Sequence, residues 1–267
     1  MLSSFHTHTT FCDGKDSCEA VVLSALEKGF CAIGFSGHAS PEFETTYGMK
    51  SIPEYITEVN RLKEKYKKDI QIYIGIEEEA TNYVNRSDFD YIIGSLHFYK
   101  IEGKNYGVDT SRELTEKCLC LCGGDKLALA KNYYERFCEY LIKRKPDIAG
   151  HFDLITKFDE LEGGGIFLSD KEYIKLSEEY LKHALKSDVI FEINTGAISR
   201  GVRKTPYPAL NLLHILKQND AKIILNADSH SADAIDCYFA ESRELLRDVG
   251  FKHRYVLYNG EFVKVDI

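Results

Sequence analysis

Six of the nine histidines stand at or just beyond the ends of short apolar runs: His6, His8, His38, His97, His151 and His230. Residues with other ligating groups close the remaining runs: Glu77, Glu192 with Asn194, and Asp228. Residues two apart on an extended strand face the same side, so His6 and His8 can converge on one point, as can Asp228 and His230. Taken alone, a strand-end histidine is usually a hydrogen-bonded structural residue. The recurrence of a ligating residue at every strand end points to a shared site. Imidazoles and carboxylates without obligatory thiolates suit zinc, manganese or iron. At least eight potential ligands exceed the needs of one tetrahedral ion, so the set is read as a site for two or three divalent metal ions, with Glu77 bridging a pair. Such a pair lowers the pKa of bound water and steadies charge on a displaced group, which makes hydrolysis the natural chemistry.

Other residues gain meaning from that set. Asp13, in Phe-Cys-Asp-Gly just past the first run, is either a turn aspartate or a further ligand beside the His-x-His pair. Arg200 follows the Asn194 strand end and Lys157 follows His151. Both are candidates to hold phosphate oxygens, the arginine through its planar fork. Arg203 and Lys204 are read as solvated charges, and His183, His214 and His253 as surface or packing residues. Glu42, Glu44 and Asp109 are ordinary loop acids or contacts for a cationic alcohol.

The elements that must present these groups alternate. Strand-like runs cover Leu2 to His8, Cys31 to Ser36, Ile70 to Ile76, Tyr91 to Leu96, Asp147 to His151, Val189 to Asn194 and Lys222 to Asp228. Helical periods fill Ser17 to Lys28, the segment opened by Pro53, Lys126 to Lys143, the segment around Tyr173 to Leu185, Pro208 to Gln218 and Asp233 to Asp248. This is a parallel α/β pattern, either an incomplete barrel or a doubly wound open sheet. Ala39 to Ser51 and Tyr99 to Gly124 break it without a regular period. Following strand ends, they are candidate lids or substrate walls.

Composition narrows the class. At 267 residues with 44% hydrophobic residues, the chain is expected to form one domain over 1–267. A net charge of −8 argues against gripping long nucleic acids, and a small anionic substrate remains compatible. Neither a signal segment nor an apolar membrane span is read, so a soluble, cytoplasmic protein is expected. The eight cysteines are accordingly expected to be reduced, and Cys118, Cys120 and Cys122 to be packing residues rather than a metal site.

The motifs His6-Thr-His8 with Asp13, Phe-Ser-Gly-His38, Ile-Gly-Ile-Glu77, Gly-Ser-Leu-His97, Gly-His151-Phe-Asp153, Glu192-Ile-Asn194-Thr and Ala-Asp228-Ser-His230 resemble, in order, those of the polymerase-and-histidinol-phosphatase (PHP) superfamily. Within it, Asn194-Thr followed by Arg200 and Tyr207-Pro-Ala is most similar to the histidinol-phosphate phosphatases. The resemblance implies a distorted (β/α)7 barrel and hydrolysis of L-histidinol phosphate in histidine biosynthesis. It implies one metal held by His6, His8, Glu77 and Asp228, a second by Glu77, His97 and His151, and a third by Asp13, His38 and His230. Glu77, His97 and Asp228 would serve catalysis directly, while Arg200 and Lys157 would bind the substrate. Two positions depart from the family pattern: Asp13, where many relatives carry histidine, and Gly37, where an acidic residue would be expected to orient His38. The alternatives are another small phosphate ester as substrate, or a metal-binding module without catalysis.

Overall fold

Each apolar run becomes a strand, and helices follow most of them. The computed structural model describes residues 1–44 and 46–267. Its strands are β1 (Ser3–Ser4), β2 (Ala32–Phe35), β3 (Gln71–Glu79), β4 (Tyr91–Ser95), β5 (Phe98–Ile101), β6 (Lys104–Gly107), β7 (Ile148–Ala149), β8 (Ile190–Asn194), β9 (Ile223–Asn226), β10 (His253–Tyr258) and β11 (Glu261–Asp266). The helices are α1 (Cys18–Glu27), α2 (Ile52–Lys65), α3 (Arg112–Leu121), α4 (Lys126–Arg144), α5 (Lys171–Ala184), α6 (Gly196–Ser199), α7 (Leu210–Gln218) and α8 (Phe239–Val249). Side-chain oxygens of Ser17, Ser51, Ser111, Asp125 and Asp170 accept the first free amides of α1 to α5, which fixes where those helices begin.

Seven parallel strands, β1-β2-β3-β4-β7-β8-β9, are hydrogen-bonded in that order. The ends then meet. His8 donates its backbone N–H to Ser229 O at 2.8 Å and Ser229 donates to His6 O at 3.2 Å. Lower down, side chains complete the seam: the Phe5 amide donates to Asn226 Oδ1 (2.9 Å) and the Ala227 amide to Ser4 Oγ (3.1 Å). Closure makes this a barrel and excludes the open doubly wound sheet. It is distorted because β9 also pairs with β10 at its other end, through Tyr255 and Ile224, and β11 extends the sheet antiparallel to β10.

The side-chain period of two sorts β3 between the layers. Ile72, Ile74 and Ile76 pack outward with residues of α1 and α2, whereas Tyr73 joins Phe5, Tyr91 and Ile93 in a second cluster. Tyr91 donates to Phe5 O at 2.5 Å, and a β-carbon added at Gly75 would collide with its ring. That close approach requires glycine. A third cluster joins α4, α5 and α7 to β7, β8 and β9. Each fully buried Ile, Leu or Phe there contributes roughly 1.5–3 kcal/mol.

The structure differs from the sequence reading in several places. Tyr99 to Gly124 is not irregular, since it holds most of the β5–β6 hairpin and all of α3. Cys118 and Cys120 lie on α3 and Cys122 caps its end; Cys118 is buried and Cys120 exposed, so the three thiols do not share one face. All eight cysteines are unpaired. Asp233 lies in a 3-10 turn before α8, and the β10–β11 hairpin was not anticipated. Among the described residues, no helix is long and apolar enough to cross a membrane.

Candidate metal centre

The C-terminal ends of the barrel strands bring all nine expected ligands together around Glu77. Glu77 Oε2 lies 2.8 Å from His38 Nδ1, 3.3 Å from His6 Nε2 and 3.5 Å from His8 Nε2. Its Oε1 lies 3.0 Å from His151 Nε2 and 3.3 Å from His97 Nε2. Asp228 Oδ1 is 3.3 Å from His8 Nε2 and 3.8 Å from His6 Nε2. Towards solvent, Asp13 Oδ2 is 3.2 Å from His230 Nε2 and 3.7 Å from His38 Nε2. Four overlapping sets have donor atoms within 4.8 Å of one another: His6, His8 and Asp228; His6, Glu77 and His151; His38, Glu77 and His97; and His8, Asp13, His38 and His230.

These residues fit divalent cations on their own chemistry. His6 Nε2 and His8 Nε2 are shut off from solvent and have no hydrogen-bond partner among the described residues, and the equally buried Glu77 Oε2 faces both. Buried polar atoms are nearly always paired, so unpaired atoms facing a common point mark a ligand position. The nitrogen and oxygen donor set suits zinc, manganese or iron.

A second layer decides which ring nitrogens face inward. Glu192 Oε1 is 2.7 Å from His6 Nδ1, and its Oε2 accepts the His151 amide at 2.9 Å. Asn226 and Asn194 donate to the same carboxylate at 3.0 and 2.8 Å. Glu192 and Asn194, ligand-capable by type, therefore act here as orienting groups. Glu79 Oε2 takes the His97 amide at 2.9 Å and faces its Nδ1 at 3.0 Å. Glu77 and Glu79 share the inner side of β3, while Glu78 points outward to Arg144 (2.8 Å) and the Tyr140 hydroxyl (2.7 Å). The sequence reading missed Glu79, although its two-residue spacing from Glu77 was the available signal.

Burial dominates the electrostatics and the partners decide its outcome. Burial alone would lower the His6 pKa, yet Glu192, Glu77 and Asp228 raise it to about 10. At His38, burial and the nearby His8 outweigh Glu77 and lower it to about 4. Burial pushes the Glu77 carboxyl up, but His38, His6 and His97 hold it well below the usual range. For Asp228, Arg200 and His6 overcome burial in the same way.

Backbone detail supports this arrangement. Asp228 adopts a left-handed φ of 44°, a conformation that aspartate tolerates better than most residues. A β-carbon at Gly196 would come within 2.6 Å of its Oδ2. A β-carbon at Gly37 would meet Cys12 Sγ at 2.6 Å and Met49 Cε at 2.8 Å, so those side chains fill the space of the acid expected there. Instead, Cys12 Sγ lies 3.5 Å and Asp13 Oδ1 3.4 Å from His8 Nδ1.

Two cations stand at the mouth. Arg200 Nη1 donates to Asp228 O at 3.1 Å, and its Nη2 lies 3.2 Å from Asp228 Oδ2. Lys157 Nζ donates to Asp109 Oδ2 at 2.9 Å and to its backbone oxygen at 3.0 Å. Both line a cavity of about 190 Å³ together with Glu77, His97, His151 and Asp228. A neighbouring pocket of about 310 Å³ shares Asp13, His38, His97 and Asp109 with it and adds Glu44, Tyr47 and Phe98. Glu42 is exposed and lies outside that lining. Lys204, His183, His214 and His253 are exposed as expected.

Arg203 corrects the sequence reading. It is buried, stacks 4.4 Å over the Tyr207 ring, donates to Thr156 O at 3.1 Å and pairs with Glu160. The sequence shows its charge but not the tyrosine face and carbonyls that take it out of water.

The PHP domain family matches residues 4–196. A protein of Schizosaccharomyces pombe named "Probable histidinol-phosphatase" is 29% identical, with 94% of this chain and 87% of that protein covered. The histidinol-phosphatase of Lactococcus lactis is 24% identical over 98% of this chain and 94% of its own length. A crystal structure of histidinol phosphate phosphatase from Lactococcus lactis, complexed with zinc, L-histidinol and phosphate, superposes with a TM-score of 0.71 at 20% identity, covering 98% of both chains.

Proposed function

The chain belongs to the PHP domain family, and we propose that it is a metal-dependent phosphomonoesterase that hydrolyses L-histidinol phosphate to L-histidinol and phosphate. The observation that carries this reading is the convergence of buried ligand atoms, the partnerless His6 Nε2 and His8 Nε2 with Glu77 Oε2, beneath two cations at the barrel mouth. The relatives' names supply the substrate. The reading makes residues 1–267 one catalytic unit, a cytoplasmic enzyme of histidine biosynthesis acting on a small phosphorylated substrate.

Two or three divalent ions, zinc, manganese or iron, would be held by His6, His8, Glu77 and Asp228, by Glu77, His97 and His151, and by Asp13, His38 and His230. When bound, such ions supply a nucleophile from water near neutral pH and neutralise charge on the transferred phosphoryl group.

The chain's own residues do the rest. Glu77 spans the cluster with both carboxylate oxygens, and Glu192 and Glu79 lock His6 and His97 in the orientation that turns Nε2 inward. Arg200 offers phosphate oxygens a planar fork and Lys157 a point charge in the same cavity. Exchanging their present carboxylate partners for phosphate keeps both cations paired. The buried walls strengthen each of these contacts.

The test is phosphate release from a panel of phosphomonoesters, run beside elemental analysis of the purified protein. Preferential cleavage of L-histidinol phosphate with metal present supports the reading. Efficient cleavage of another ester and none of this one refutes the substrate. No phosphate release from any ester by fully metal-loaded protein would favour the non-catalytic module.

A further inference from the structure

The segment 39–51 was read as a possible substrate wall, and its described residues are anchored at both ends. Ala39 donates to Glu77 O at 2.8 Å, Met49 to His38 O at 2.9 Å, and Asn82 Nδ2 to Ser40 O at 2.7 Å. This strap sets Tyr47 edge-on against the His38 ring, with centroids 4.8 Å apart and an interplanar angle of 83°. On its other side the Tyr47 ring lies near-parallel to Phe98, 6.4 Å between centroids.

The hydroxyl of Tyr47 is cut off from solvent and has no hydrogen-bond partner among the described residues. Native structures rarely leave such an atom unpaired unless a ligand completes it. Burial, followed by Glu79, Asp109, Glu77 and Glu44, pushes its pKa far up, so it stays a neutral donor. Tyr47 lines the outer 310 Å³ pocket and packs on His38, which with Asp13, His97 and Asp109 also lines the cavity of the metal ligands. If phosphate occupies the inner cavity below Arg200 and Lys157, the alcohol half extends into the outer pocket. The ester oxygen then lies at the junction between them.

We propose that the Tyr47 hydroxyl donates a hydrogen bond to the ester oxygen of the substrate, the atom that leaves with the alcohol. The inference rests on the phosphomonoesterase reading and adds a catalytic residue to it. As the phosphorus–oxygen bond breaks, its electron pair moves onto that oxygen, and a donor held beside it stabilises the growing charge. The proton stays on Tyr47 in this contact. The benefit scales with the charge that the leaving oxygen carries.

That scaling provides the test. Tyr47→Phe removes one oxygen atom and keeps both ring contacts. Zinc-loaded wild type and variant are compared on L-histidinol phosphate, whose alkoxide is strongly basic, and on p-nitrophenyl phosphate, whose phenolate spreads its charge. The expected result is a fall of about tenfold or more in the ratio of alkyl to aryl kcat/KM, the size of one hydrogen bond to a charged group. Zinc content and thermal midpoint should match the wild type. Equal losses on both esters, or none on either, would overturn the proposal. If the wild type rejects L-histidinol phosphate but cleaves glycerol phosphate, the substrate reading falls and Tyr47 is judged on that alkyl ester. If it cleaves no ester, both readings fall.

Discussion

Glu192→Gln isolates the layer behind the metal ligands. The carboxylate accepts four contacts, from His6 Nδ1 (2.7 Å), Asn226 Nδ2 (3.0 Å), the His151 amide (2.9 Å) and Asn194 Nδ2 (2.8 Å). Glutamine keeps one oxygen and turns an NH2 group against two of these donors, whichever way the amide is placed. Two contacts to a buried charge are lost, each worth about 1.5–3 kcal/mol, so a loss of about 3 kcal/mol is a conservative sum. For a chain of this size that lowers Tm by roughly 6–12 °C in the metal-free protein. His6 also loses the partner that fixes its inward nitrogen, and removing such partners typically costs about 10–100-fold in metal affinity. Calorimetry of metal-free protein and zinc titration against a chromophoric chelator read the two effects separately. Lower stability with unchanged zinc affinity would reduce Glu192 to a structural residue. No change in either would contradict the network itself.

Three further outcomes follow from the same geometry. Glu78→Gln should cost about 2 kcal/mol, below the range for fully buried pairs because Arg144 keeps some exposure, and leave zinc content unchanged on elemental analysis. Arg200→Ala should lower kcat/KM for phosphomonoesters by about 10²-fold and weaken inhibition by inorganic phosphate, measured by steady-state kinetics. Zinc needs neutral imidazole, and the metal-free fold raises His6 to about 10, so lowering pH must weaken zinc binding. Zinc uptake should therefore still release protons at pH 8, where an ordinary histidine is already neutral, and calorimetry in buffers of different ionisation enthalpy reads this directly.

The seven barrel strands were legible because each is a contiguous β-rich run with a ligating residue at its end. The β5–β6 and β10–β11 hairpins carried a signal that was not read. Glu102-Gly103 and Asn259-Gly260 adopt left-handed φ values of 50° and 77°, and of 51° and 79°, and the Asn-Gly pair between alternating apolar residues is the strongest short-range hairpin cue. At the site, the ligands were legible from strand spacing, but their supports were not. Glu192 meets His6 across 186 positions, a contact that only barrel closure creates. Arg203 failed as a surface charge for the same reason, since its partners come from the turn at Thr156 and from the Tyr207 ring.

The central claim is that this strand-end cluster is a metal-dependent phosphomonoesterase centre. Its most direct test is the rate of phosphate release from L-histidinol phosphate while metal-stripped protein is titrated with zinc. The account predicts negligible release before zinc, a rise that saturates at two or three equivalents, and no rise in Glu77→Ala. Undiminished release from stripped protein, or none at full loading while another phosphomonoester is cleaved, would contradict it.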